Sequence, residues 1–212
     1  IVWSSLGGGA DNVKANKSLV AAHGPELSGA ATDAGTHIHW SAAAGGAAPI
    51  LETASRLAAE GAITRVEAVL NGTCGYVLDL LQRGDAFRSA VRTAQRRGFA
   101  ERDPTADLSG ADAAHKLALV HRALNGRWID PASIVRCTID AQSIMAALAT
   151  CGVGRRLAQV AVIGDHESPR VELRAIDVDS PLGALRAEWC GAVFRCASGR
   201  EVVVRGRGAG RW

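Results

Sequence analysis

Residues 94–116, AQRRGFAERDPTADLSGADAAHK, constrain this chain more than any other stretch. The run sets Glu101, Asp103, Asp107 and Asp112 around a turn punctuated by Gly98, Pro104 and Gly110, with Asp85 just upstream and Lys116 closing it. Asp112 and Lys116 are four apart, so a helix puts them on one face, and Asp107 falls just before that helix begins. The spacing therefore predicts a turn that delivers carboxylates to the head of a helix. A carboxylate cluster beside a lysine can hold a charged, hydroxylated small molecule and move a proton on or off it.

The rest of the chain narrows the setting. Its 212 residues allow one or two domains with a sizeable core. Aromatic residues are 4% of the chain, so packing must rest on Ala, Val and Leu. The net charge is +3, and arginines scatter without a lysine-rich tract or interleaved aromatics, which argues against nucleic acid. No apolar run reaches membrane-spanning length. Cys74, Cys137, Cys151, Cys190 and Cys196 form no C-x-x-C pair, an odd set that predicts free thiols in a reducing, cytoplasmic setting. His37 and His39 alternate on a predicted strand. They lack a third ligand nearby and read as partly exposed strand residues rather than a metal pair. The chain begins at Ile1 and its one methionine is Met145, so a fragment or trimmed product is expected.

Periodicity predicts a strand end over 1–6, a helix over 14–34, a strand over 36–43 (THIHWSAA) and a helix from Pro49 through Glu60. TRVEAVL, 64–70, alternates as a strand, and Asn71-Gly72-Thr73 turns into a helix over 75–83. Further helices are predicted over 87–97, capped at Gly98, and over 112–124. Beyond them come a strand over 134–139, a helix over 141–150, and strands over 157–163, 170–178, 192–195 and 202–204. Strands mixed with helices and long returns give an α/β class, an α+β mixed sheet packed under one helical layer. Gly7-Gly8-Gly9 lacks the further glycine and closing acid of a dinucleotide fingerprint, and Gly206-Arg207-Gly208-Ala209-Gly210 has no helix after it.

Read from the residues alone, Lys17 is a surface lysine early in a helix. Lys116 is the partner of Asp112 in a helical ion pair. Asp103-Pro104 is a turn former, and Cys74 is a buried, inert thiol rather than a reactive one at a helix start.

The spacing Ala94-x3-Gly98-Phe99-Ala100-x2-Asp103-Pro104-x2-Asp107-Leu108-x-Gly110-x-Asp112-x3-Lys116 resembles the signature of homoserine dehydrogenase at every fixed position. VKANKSLVAAHGPEL, 13–27, is similar to the family's lysine-bearing segment. The resemblance implies a homoserine dehydrogenase catalytic-domain-like fold and an NAD- or NADP-dependent interconversion of L-homoserine and L-aspartate 4-semialdehyde, a step toward threonine and methionine. It implies Lys17 and Lys116 as catalytic residues, with Glu101, Asp107 and Asp112 holding the amino acid. Asn16, Lys17, Asn71, Gly72, Thr73 and Gly208 would lie against the cofactor. Ala44, Gly46 and Ala48 would offer carbonyls to a monovalent cation, and a homodimer is implied.

Three departures qualify that reading. Gly75 stands where the family has Asn, which removes an amide from the site. Ser41 replaces a glutamate, so tight cation binding is not expected. The family's dinucleotide-binding half lies outside the chain. Residues 1–13 then read as its edge, 14–205 as the catalytic and dimerisation domain, and 206–212 as the start of the return. The alternative is a non-catalytic truncated relative that dimerises or binds an amino acid. A third reading keeps the hydride chemistry but moves it to another amino-acid alcohol.

Overall fold

The computed structural model describes residues 12–13, 17–36, 38–39, 44 and 46–208. In chain order the first elements are β1 (Asn12–Val13), α1 (Lys17–Asp33), β2 (Ile38–His39), α2 (Ile50–Glu60), β3 (Ile63–Val69), α3 (Gly72–Gln82) and α4 (Phe87–Arg96). There follow α5 (Thr105–Leu108), α6 (Ala111–Asn125), a 3-10 turn (Pro131–Ser133), β4 (Val135–Arg136) and α7 (Ala141–Ala149). The chain closes with β5 (Arg155–Gly164), β6 (Glu167–Asp177), β7 (Trp189–Cys196) and β8 (Glu201–Arg207).

Six strands form one mixed sheet in the order β4-β6-β5-β3-β7-β8. Its pairings are antiparallel except β4 with β6, which is parallel. β1 and β2 pair separately, in parallel. The period of two divides each strand between two faces. Val66 and Ala68 of β3, Ala161 of β5 and Phe194 of β7 meet Leu57 of α2 and Leu117 of α6 in the main core. α3 and α4 extend the same helical side, where Val77, Leu81 and Ala94 pack on Leu157. Fully burying a side chain such as Leu117 or Phe194 contributes about 1.5–3 kcal/mol.

The opposite face is built differently. Val69, Val160, Val162 and Val193 form an apolar strip covered at one end by Leu182 and Leu185. Beside it runs a ladder of charge in which Glu67 receives Arg65, Arg174 and Arg195 at 3.2, 2.8 and 3.0 Å. The helices therefore gather on one side, as the mixed sheet under one helical layer requires.

Several predicted boundaries move, each for a local reason. The helix predicted over 14–34 is described from Lys17 and breaks at His23 (φ −121°, ψ 17°), because Pro25 lacks the N–H and its ring crowds the turn before it. Of the strand predicted over 36–43, the described part is Ile38–His39. α3 starts at Gly72 rather than 75, since Asn71 caps it. The strand predicted over 134–139 shrinks to β4: Cys137 N still donates to Val171 O, but Ile139 N turns to Leu108 O at 2.7 Å. All five cysteines are free thiols. No helix among the described residues is long and apolar enough to cross a membrane.

Candidate functional site

The site begins where β3 ends. Asn71 leaves the strand in extended conformation (φ −130°, ψ 109°) and caps α3, its Oδ1 accepting from Cys74 N at 2.8 Å. An asparagine cap satisfies one orphan donor of the first turn. Its amide also serves two carboxylates: Nδ2 donates to Asp107 Oδ1 at 2.7 Å and to Asp112 Oδ2 at 2.8 Å. Asn71 is 4% exposed, so one buried amide joins strand, cap and carboxylates.

Asp112 lies in the first turn of α6, where the helix dipole favours a negative charge. Gly110 sets that turn at φ 75°, and a Cβ there would come within 3.0 Å of Cys137 O. A side chain would be strained by its backbone and crowded by its neighbour. Lys116 stands one turn on. Its Nζ lies 2.8 Å from Asp112 Oδ2 and donates to Leu70 O at 2.7 Å. The side chains of Lys116 and Asp112 are 14% and 4% exposed. An ammonium carries three N–H bonds, so these contacts leave one for a ligand.

Asp107 is the perturbed group. Burial pushes its carboxyl above the ordinary value, the Asn71 amide works against that, and the Asp112 charge adds to it. Cys74 is buried beside it with its thiol donating to Asp107 O at 3.2 Å. Burial drives that thiol far up, and the two carboxylates add to the effect, which leaves it protonated and inert.

These groups face a cavity of about 560 Å³ whose lining includes Asn71, Gly72, Thr73, Arg96, Arg97, Glu101, Asp107, Asp112, Lys116, Cys190 and Gly208. Thr73 donates its hydroxyl to Phe99 O at 2.6 Å, and Phe99 stacks on Tyr76 with ring centroids 4.2 Å apart. Gly72 and Gly208 both approach the backbone of Glu188. A Cβ on either would lie 3.0 Å and 2.8 Å from its atoms, and Gly208 N donates to Glu188 O at 2.8 Å.

The cavity thus gathers Glu101, Asp107, Asp112, Lys116, Asn71, Gly72, Thr73 and Gly208. Asp103 stands apart and takes Thr105 N at 3.0 Å, a turn former as its sequence context predicts. Lys17 opens α1, but its side chain, like Asn16, Ser41, His37 and the His39 side chain, lies outside the described residues. Ala44, Gly46 and Ala48 fall in the loop before α2, where Ala48 O already accepts from Ile50 N at 2.8 Å. Among the described residues no three His, Cys, Asp or Glu side chains gather as metal ligands do. Two participants were not read from the sequence. The Leu70 carbonyl carries no side-chain signal, and Cys190 reaches the cavity only through the pairing of β7 with β3.

The family described as homoserine dehydrogenase matches residues 49–212. A homoserine dehydrogenase of Synechocystis is 29% identical over 206 residues, 93% of this chain and 48% of its own length. The crystal structure of a homoserine dehydrogenase from Thiobacillus denitrificans superposes with a TM-score of 0.88 at 26% identity, over 99% of this chain and 49% of that one. A hyperthermophilic archaeal homoserine dehydrogenase in complex with NADPH gives a TM-score of 0.82 over 99% of this chain and 61% of its own; at 24% identity that likeness is one of fold. The chain spans about half the length of the relatives it matches from end to end.

Proposed function

The chain belongs to the homoserine dehydrogenase family, and we propose that its carboxylate–lysine cavity binds L-homoserine and exchanges the proton of its hydroxyl group. The carrying observation is the fixed Lys116 ammonium, held by Leu70 O and Asp112 at 2.7 and 2.8 Å at the wall of that cavity. A lysine so held presents its remaining N–H in one direction, which general acid–base work at a hydroxyl needs. Glu101 and Asp107 offer acceptor lone pairs to the substrate ammonium, and Asp112 holds Lys116 in place. In this reading Asn71 acts by position, because both of its amide hydrogens serve Asp107 and Asp112. Lys17, by the family resemblance, is the second catalytic lysine.

The residues present fit a nicotinamide. The cavity, at about 560 Å³, is larger than a four-carbon amino acid fills. Asn16, Lys17, Asn71, Gly72, Thr73 and Gly208 form the cofactor side of the proposed site. A nicotinamide held by these residues would supply the hydride chemistry at C4 of homoserine. The chain's own contribution is to orient the amino acid through its ammonium and to hold or release the hydroxyl proton at Lys116 Nζ. A monovalent cation at Ala44, Gly46 and Ala48 remains a minor part of the proposal, since those carbonyls come without a carboxylate from Ser41.

We also propose a homodimer, as the family resemblance implies, in a cytoplasmic enzyme of threonine and methionine synthesis. A monomer by light scattering would remove the dimer.

The test is homoserine-dependent reduction of NADP or NAD by the purified chain, followed at the absorbance of the reduced nicotinamide. The proposal expects turnover that is lost in Lys116→Met. Equal rates in parent and variant would contradict it. Because the chain spans half of its relatives, a second reading is a domain that binds the amino acid without turnover. Saturable homoserine binding with no reduction would favour that one.

A further inference from the structure

Residues 178–188 carry the chain from β6 to β7 through turns, anchored by the buried Leu182 and Leu185. Their last residue backs the cavity. Glu188 O accepts from Gly208 N at 2.8 Å, and a Cβ on Gly72 would stand 3.0 Å from Glu188 Cα. Gly72 and Gly208 both line the cavity, and Gly72 follows Asn71, whose amide aims Asp107 and Asp112. The place of Glu188 therefore sets the place of that wall and that turn. Asp79, one helical turn beyond Gly75 on α3, divides its carboxylate between two donors. Its Oδ1 takes Arg156 Nη2 at 2.6 Å, and its Oδ2 takes Ala187 N at 3.2 Å. Arg156 also donates through Nη1 to Leu185 O. The pair thus holds the 185–187 turn on both sides of Arg186, through backbone atoms alone. Ala187 sits there at φ 48°, a left-handed conformation that an L-residue keeps only where its surroundings hold it. The Arg156 and Asp79 side chains are 9% and 14% exposed, and neither is among the residues that line the cavity. The space between the turn, Asn71 and Gly75 is about 10 Å³, room for one water at most, so a shift of the turn is passed on to α3.

We propose that Asp79 and Arg156 are positioning residues for the reaction, a clamp on the 185–187 turn that fixes Glu188 and, through it, the Gly72–Gly208 wall against which the amino acid is held; this rests on the function proposed above. A guanidinium serves two acceptors at fixed angles, which an ammonium on a flexible stem does not. The desolvation cost of a buried ion pair largely offsets its attraction, so the site uses the geometry of this pair rather than its strength.

The experiment compares the parent chain with Arg156→Lys, with Asp79→Asn and with Ile163→Val, a mild core truncation at the other end of β5. Calorimetry reads homoserine affinity, and amide hydrogen exchange reads Gly208 N–H against the amides of β3. Arg156→Lys and Asp79→Asn should each weaken homoserine about tenfold, as displacement of a binding wall does. Both should speed exchange at Gly208 about tenfold while β3 keeps its protection. Ile163→Val should leave homoserine affinity and Gly208 exchange at the parent values. Parent-like affinity or parent-like exchange in the two clamp variants would overturn the proposal. Equal losses in Ile163→Val would also overturn it, by reducing the pair to general stability. A parent that takes up no homoserine, with Gly208 exchange freed in both variants, would sink the amino-acid reading and leave the clamp as a device of the wall alone.

Discussion

The Lys116 ammonium lies 2.7 Å from the carbonyl oxygen of Leu70, which ties the middle of α6 to the end of the central strand. That contact fixes the lysine along the strand direction, while Asp112, one turn back at 2.8 Å, fixes it along the helix. Replacing Lys116 by Met keeps the stem and removes both bonds. Turnover should fall by about 10²–10⁴-fold, the usual worth of a positioned acid–base group. Stability should fall by about 1–3 kcal/mol, because a buried carboxylate loses a donor. Steady-state rates and urea unfolding read the two effects separately, and a variant that turns over like the parent would remove Lys116 from the chemistry.

Asn71 is predicted to be a stability residue more than its 11-residue helix would imply. Asn71→Ala removes a helix cap, worth about 1 kcal/mol. It also strips the amide from Asp107 and Asp112, which adds about 1–3 kcal/mol for a buried acceptor left unmade. Urea unfolding of this variant should show a loss clearly larger than a cap alone. A loss at or below the cap value would mean that water replaces the amide at both carboxylates.

Two carboxylates should pull the pH dependence of stability in opposite directions. Burial raises the Asp107 pKa above its ordinary 3.8. The folded state then binds that proton more readily than the unfolded chain, so Asp107 opposes folding once the pH rises above 3.8 and does so fully above its folded value. Asp107→Asn should raise the unfolding midpoint at neutral pH while weakening homoserine binding. Glu67 is the reverse case: burial pushes it up, but hydrogen bonds from Arg174, Arg195 and Arg65 outweigh that and hold it below 4.5. Its contribution is present above 4.5 and lost as the pH falls through the lower folded value. Glu67→Gln should therefore destabilise at neutral pH and flatten the acid limb of the stability curve. Thermal unfolding of both variants across pH 3 to 7 (roughly the span over which carboxylates titrate) checks the signs, and parallel curves would contradict them.

Gly75 and Ala187 form a matched pair. A Cβ at 75 would stand 2.8 Å from Ala187 O, and Ala187 itself sits at φ 48°, a left-handed backbone. Gly75→Asn should cost about 1–3 kcal/mol through overpacking. Ala187→Gly should gain about 1 kcal/mol by relieving the backbone. Melting temperatures that move the other way would mean that the 180s segment shifts freely.

What could be read in advance follows the range of the interactions. Asp112 and Lys116 were legible as a pair because four residues is one helical turn. The turn before them was legible because Gly98, Pro104 and Gly110 mark it locally. Asn71 could be placed in a strand-to-helix turn, but its bonds to Asp107 and Asp112 span 36 and 41 residues, and no local pattern encodes them. The break at His23 follows from Pro25, yet the regular spacing of Leu19, Val20 and Leu27 concealed it. The sheet order was invisible, since β3 lies between β5 and β7, strands almost a hundred residues or more further along the chain. Burial of an asparagine and an aspartate together is a tertiary outcome, legible only once both elements are packed.

The most direct measurement is calorimetric titration of L-homoserine into the folded chain and into Asp107→Asn. Saturable binding in the parent, weakened about 10–100-fold by loss of one charge-assisted hydrogen bond, is the predicted result. A folded parent that takes up no homoserine, or an Asp107→Asn variant that binds it equally well, would contradict the assignment of this carboxylate–lysine cavity as the amino-acid site.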